Sequence, residues 1–277
     1  MKRLLTSFLT ITTILSFASI SYAEMTKVQK ATALIESIEN GDPHPVSYIN
    51  PNKYIQHNLS VEDGLAGFSK VLKALPKGSA KAKVVRAFED GDYAITHTIY
   101  DFFGPQIGID IFRFEDGLIV EHWDNSQPIE TAPNPSGRTQ TDGPAQVKDL
   151  EKTKQNKVLV KSFVSDVLMG KSPEKITEYI APDYYTQHNI AVGDGLSALG
   201  KALEEMAKAG KPMTYTKNHM ILGQGNFVLS VSEGQFFGKH TAFYDLFRVE
   251  NNMLVEHWDT IEEIPAKSEW KNTNGKF

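Results

Sequence analysis

The tetrapeptide Glu-His-Trp-Asp occurs twice, at residues 121–124 and 256–259, and each copy closes a longer segment of the form Asp-x-Phe-Arg-x-Glu. Between residues 110–124 and 245–259, nine of fifteen positions are identical. The echo runs upstream in the same order. Tyr54-Ile55-Gln56-His57-Asn58 is matched by Tyr185-Thr186-Gln187-His188-Asn189, Asp63-Gly64-Leu65 by Asp194-Gly195-Leu196, and Phe102-Phe103-Gly104 by Phe236-Phe237-Gly238. The offset drifts from 131 to 135, so only short insertions separate the blocks. Solenoid repeats have periods of roughly 20–50 residues. A period this long is a whole domain, and 277 residues are enough for two cores of ordinary size.

The first 23 residues stand apart. Lys2 and Arg3 precede an acid-free apolar run from Leu4 to Ile20, and Ser21-Tyr22-Ala23 places small residues at the −3 and −1 positions of a cleavage site. This is the pattern of a secretory signal peptide, so a periplasmic or secreted protein is expected. The net charge is −5, and loss of Lys2 and Arg3 makes it more acidic. That balance gives no electrostatic footprint for nucleic acid, nor for an anionic membrane after signal cleavage. The absence of cysteine removes disulfides, thiolate metal sites and cysteine nucleophiles together. We divide the chain into residues 24–132 and 149–267 as the two copies, a Pro-, Gly-, Ser- and Thr-rich linker at 133–148, and a loose tail at 268–277.

Each copy begins with helix signals. Thr26 and Gln29 fit a capping box, with Val28, Ala31, Ile35 and Ile38 as one apolar stripe ended by Gly41. Val160, Phe163, Val164, Val167 and Leu168 form the corresponding stripe, stopped at Gly170. A second helix keeps its apolar spacing in both copies, as Leu65, Phe68, Leu72, Leu75 and as Leu196, Leu199, Leu203, Met206. Asp63 and Asp194 stand where an N-cap belongs. Then the period changes to two, predicting strands near 81–89, 92–100, 107–114 and 118–124, and near 213–222, 226–234, 240–249 and 253–259. Helices followed by an antiparallel meander make an α+β class.

The Tyr-x-Gln-His-Asn segment, the Asp-Gly before a helix, and the terminal Asp-x-Phe-Arg-x-Glu hairpin ending in Glu-His-Trp-Asp resemble the SnoaL-like polyketide cyclase family of the nuclear transport factor 2-like superfamily. The resemblance covers nearly all of both copies. It implies two cone-shaped domains, each with helices packed on a curved sheet around an apolar pocket. It also implies an intramolecular pseudo-dimer, open to further oligomerisation, and a small apolar molecule as partner. Cyclases of this type use a pocket acid/base for an aldol condensation without a cofactor, whereas other relatives only bind.

Strand parity selects the candidate residues. His122 and Asp124 share one face of a strand, and Glu121 and Trp123 share the other. A carboxylate and an imidazole on one face form a pair whose proton affinity an apolar surround can tune, as proton abstraction α to a carbonyl requires. The competing reading pairs Glu121 with Arg113 and leaves Asp124 capping the strand end in solvent. Asp110 falls with Trp123 if the hairpin turn is the two residues Asp116-Gly117, and with His122 and Asp124 if the turn has three. His57 either points into the pocket or is a hydrogen-bonded structural histidine. The first candidate site is therefore Asp110, His122, Asp124 and His57, and the second is Asp245, His257, Asp259 and His188. Asp would accept protons and His would donate to the developing oxyanion. His97 in the first copy, and Lys239 with His240 in the second, would make the two pockets differ. No compact motif such as His-Glu-x-x-His points to a metal, and no nucleotide-cofactor motif is present.

Overall fold

A computed structural model describes residues 24–277 apart from Lys77, Phe103, Asp183 and Lys211, so the signal-peptide segment lies outside the described residues. The first copy runs α1 (Lys27–Asn40), β1 (Ile55–Gln56), α2 (Gly64–Ala74), β2 (Lys81–Asp90), β3 (Tyr93–Asp101), β4 (Pro105–Glu115) and β5 (Leu118–Pro128). The second runs α3 (Thr153–Phe163), α4 (Ile176–Tyr179), β6 (Thr186–Gln187), α5 (Leu196–Lys208), β7 (Thr214–Gln224), β8 (Phe227–Phe236), β9 (Lys239–Glu250) and β10 (Met253–Glu263). The class is α+β. Each copy has a five-stranded sheet, ordered β1-β5-β4-β3-β2 and β6-β10-β9-β8-β7, in which only the short first strand is parallel to its neighbour. Among the described residues no helix is long and apolar enough to cross a membrane.

Thr26 and Gln29 form the expected capping box, and Gly41 closes α1 in the left-handed region at φ 73°. Ala31, Leu34 and Ile35 pack on Ala94, Phe112, Phe114 and Ile119 from one face of the first sheet. Val160, Phe163 and Val164 do the same on Val228, Phe247 and Val249 in the second. Asp63 does not cap α2 with its side chain. Its Oδ1 instead accepts from the Gln56 amide at 2.9 Å, and Asp194 accepts from the Gln187 amide at the same distance. Both carboxylates therefore tie the helix start to the short parallel strand.

The hairpin register resolves the parity question by a route the sequence did not suggest. The β4–β5 turn is the two-residue Asp116-Gly117, with φ of 49° and 77°, and Glu115 faces Leu118. One residue of β5, Val120, then bulges out, so that Phe114 pairs with Ile119 but Arg113 pairs with Glu121. Beyond the bulge Asp110 faces Asp124 and Phe112 faces His122. Val255 repeats the bulge in the second copy, and Asp245 faces Asp259. The two aspartates and the histidine thus share the helix-covered face of each sheet.

The opposite faces of the two sheets pack on each other. Phe88, Ile95, Ile109, Ile111 and Trp123 join Leu222, Phe227, Leu229, Val231, Leu246 and Trp258 in one core, with Phe88 and Phe227 rings 6.3 Å apart. At its edge Arg86 stacks over Trp258 at 4.3 Å and contacts the buried His97. Burial first, then the Arg86 charge, holds His97 well below the usual histidine range. His97 therefore belongs to the inter-copy core. His240 pairs with Glu233 at 2.9 Å and is likewise away from the pocket.

The tail is not loose. Asn272 Nδ2 donates to the carbonyls of Asn58 and Val61 at 2.7 and 2.9 Å, and Asn274 Nδ2 donates to that of Gln56 at 3.0 Å. In the linker, Asn134 Nδ2 donates to Gln187 and Val192 at 2.6 and 2.9 Å. Each copy is thus followed by an Asn-x-x-Gly segment, Asn134 to Gly137 and Asn272 to Gly275, that reaches across to the other copy. Asn272→Ala would leave two carbonyls without their donor, at about 1–3 kcal/mol. The expected outcome is a lower midpoint in urea unfolding with an unchanged slope.

Candidate functional site

Between α1, α2 and the first sheet lies a cavity of about 350 Å³. Its walls include Leu34, Ile38, Phe68, Val71 and Phe112, and its floor is Asp110, His122 and Asp124. The second cavity, about 180 Å³, has Asp245, His257 and Asp259 on its floor. These six expected site residues are brought together. The expectation for His57 and His188 is corrected, because the parity that aims Gln56 and Asn58 inward turns His57 outward.

His57 stacks on Trp123 at 4.6 Å, and its Nε2 meets Glu121 Oε1 at 3.0 Å, while Arg113 holds the other oxygen of Glu121 at 2.6 Å. His188, Trp258, Glu256 and Arg248 repeat the arrangement. The tail and linker reach these histidines as well, through Gly275 O to His57 Nδ1 at 2.9 Å and Thr139 O to His188 Nδ1 at 2.7 Å. The pairing of Glu121 with Arg113 is as the competing reading had it. Asp124, however, is held at the cavity by Asn58 Nδ2 at 2.6 Å rather than standing free in solvent.

Gln56 and Asn58, flanking His57 in the repeated segment, organise the floor. Gln56 Oε1 accepts from the Asn58 amide at 2.8 Å, which identifies it as the carbonyl oxygen. The His122 Nδ1 that lies 3.1 Å away must therefore donate a proton. Its Nε2 then faces Asp110 Oδ1 at 3.2 Å. Asp110 Oδ2 accepts from Tyr100 at 2.7 Å and from Thr96 at 3.4 Å. Burial, with Asp110 next, raises Tyr100 well above the usual phenol range, so it stays a neutral donor. Asp124 Oδ1 is buried with no hydrogen-bond partner. The signal for Gln56 and Asn58 was present in the sequence, since they flank His57 at period two and repeat as Gln187 and Asn189.

The second floor follows the same logic. Gln187 Oε1 accepts from the amides of His188 and Asn189, both at 3.0 Å, and from His257 Nδ1 at 2.9 Å. His257 Nε2 lies 3.1 Å from Asp245 Oδ1, and Asn189 Nδ2 is 2.7 Å from Asp259 Oδ2. Burial raises the Asp259 carboxyl above 3.8, against the opposing effects of His257 and Asn189. For His257 burial works downward, but the hydrogen bond to Asp245 and the charges of Asp259 and Asp245 carry it above 6.5.

A raised histidine stabilises the fold fully below pH 6.5, and that contribution is lost as pH rises through the folded value. In the metal- and ligand-free protein, NMR titration should find His257 protonated at Nδ1 throughout and titrating above 6.5. Asp245→Asn should lower that midpoint.

No family model matches the chain, and no curated relative does. Solved structures similar to it include TsrD from Streptomyces laurentii, at 22% identity over 38% of this chain and 92% of that one, with a TM-score of 0.32. IdmH from Streptomyces antibioticus, a proposed polyketide cyclase, has 19% identity over 35% and 89%, with a TM-score of 0.31. A nuclear transport factor 2-like protein of unknown function from Cytophaga hutchinsonii has 14% identity over 38% and 94%, with a TM-score of 0.33. The chain is thus similar to these proteins over a stretch of about one copy.

Proposed function

We propose that the first copy is a cofactor-independent acid/base catalyst acting on a small, largely apolar carbonyl compound, in an aldol-type cyclisation, isomerisation or lyase reaction. The observation that carries this reading is the unpartnered Asp124 Oδ1 in an apolar cavity that also holds the His122–Asp110 pair. Asp124 takes the proton α to the carbonyl. His122, with Nδ1 committed to Gln56, turns Nε2 into the cavity as the donor to the developing oxyanion. Asp110 orients the imidazole and is itself held by Tyr100. Ketosteroid isomerase divides its chemistry in the same way, between an aspartate base and an oxyanion donor. A cavity of about 350 Å³ is within the size range of small-molecule sites. A binding module without chemistry has no need for a carboxylate and an imidazole converging in a largely apolar cavity.

A thermal-shift screen of small carbonyl compounds, followed by turnover assays on the hits, tests the reading. Asp124→Asn should keep the ligand-induced shift and lose about 10²–10⁴-fold in kcat. Unchanged turnover in that variant removes Asp124 from the mechanism. Ligand binding without turnover in the wild type makes the protein a binding module.

We further propose export, on the strength of Lys2, Arg3, the apolar run and Ser21-Tyr22-Ala23. Intact mass of the protein recovered from a secreting host should correspond to a chain starting at Glu24. Retention of Met1 in that fraction contradicts cleavage.

A further inference from the structure

The second floor differs from the first in what its carboxylates are left to do. In the first copy both oxygens of Asp110 are engaged, one by His122 and one by Tyr100 and Thr96. In the second, Ser230 stands opposite Asp245, and its hydroxyl pairs with Ser232 and Asn218 instead. Tyr215 reaches Asp245 at 3.2 Å, but at Oδ1, the oxygen His257 already faces. Asp245 Oδ2 and Asp259 Oδ1 are both left buried without a partner. Their residues are only 2% and 8% exposed. No lysine or arginine lines this cavity among the described residues.

The donor atoms are sorted as a metal would need them. Gln187 takes His257 Nδ1–H, which leaves the Nε2 lone pair for a ligand bond. Asn189 holds Asp259 by Oδ2 and frees Oδ1. Tyr215 holds Asp245 by Oδ1 and frees Oδ2. Such outer hydrogen bonds fix the orientation of metal-binding histidines and carboxylates. One ligand atom from each of the three residues lies within 4.8 Å of the others. Bonds of about 2.1 Å at tetrahedral angles place two donors about 3.4 Å apart, within the 4.8 Å that bounds the three ligand atoms. We propose that Asp245, His257 and Asp259 bind one divalent first-row transition ion such as zinc, with water completing its shell. One imidazole and two carboxylates suit that class of ion better than calcium or magnesium, which prefer oxygen alone.

Metal binding in the second copy is independent of catalysis in the first, and the two tests separate. Chelator-treated protein titrated with ZnCl2 in a calorimeter should bind one equivalent per chain saturably. Asp259→Asn and His257→Gln, each checked for native circular dichroism, should weaken that binding by about tenfold or more. Should either variant fail to fold, CoCl2 added to wild-type protein must shift the His257 ring resonances paramagnetically. Absence of saturable zinc binding, equal affinity in the folded variants, or an unshifted His257 ring overturns the site. Turnover that persists in chelator leaves the first-copy reading standing whatever the zinc result.

Discussion

One extra residue in one strand decides which chemistry each sheet can present. The Asp116-Gly117 and Asn251-Asn252 turns are both two residues long and both use left-handed φ angles, which aspartate, asparagine and glycine tolerate better than other residues. Continued without interruption, that register would set Asp110 opposite Trp123. The bulges at Val120 and Val255 advance one strand by a residue, bringing Asp110 opposite Asp124 and Asp245 opposite Asp259. A one-residue slip exchanges the two faces of a strand. The cavity floor therefore depends on the bulge, and Trp123 and Trp258 fall on the face that joins the copies.

That second face links the copies in more than apolar contact. The tail of the second copy bonds to the backbone of residues 56–61, and the linker after the first copy bonds to that of residues 187–192. Those are the segments that carry Gln56 and Asn58, and Gln187 and Asn189. Each copy's floor is thus oriented by side chains whose backbone is clamped by the other copy. Outward-facing His57 and His188 belong to the same clamp, bonded on one side to Glu121 or Glu256 and on the other to the incoming strap. Separate copies would keep their helix-covered cores, expose the shared one and lose this support.

The duplication, the helix stripes and the strand sequence were legible because each repeats a period that local physics imposes. The face shared by His122 and Asp124 was legible for the same reason, since a strand alternates. Asp110 was not, because a bulge leaves no fixed residue signature and the turn length alone points the wrong way. His57 was left between the pocket and a structural role, and the structure gives it the second, because the inward positions belong to the polar Gln56 and Asn58. The tail looked loose because Asn272 and Asn274 bond to backbone carbonyls more than two hundred residues away, a contact that no local pattern encodes. Asp63 looked like an N-cap because it precedes a helix, yet its carboxylate accepts from the Gln56 amide.

The same backbone also supports two different floors. Counting along the paired strands from Asp110 and Asp245, Tyr100 corresponds to Gly234, Ala82 to Tyr215, and Gly108 to Phe243. The phenol that holds the buried aspartate has moved from the third strand of one copy to the strand beside it in the other. Tyr100 lies over Gly108, where an added Cβ would meet its ring at 3.0 Å. Tyr215 stacks instead on Phe243 at 4.4 Å. Two rings thus fill what one ring fills in the first copy, in keeping with a cavity of about 180 rather than 350 Å³. Coming from the neighbouring strand, Tyr215 meets Oδ1 of Asp245, whereas Tyr100 meets Oδ2 of Asp110. A change that preserves the donor has therefore altered which carboxylate oxygen it satisfies, and with it the demand that the second cavity makes on its ligand.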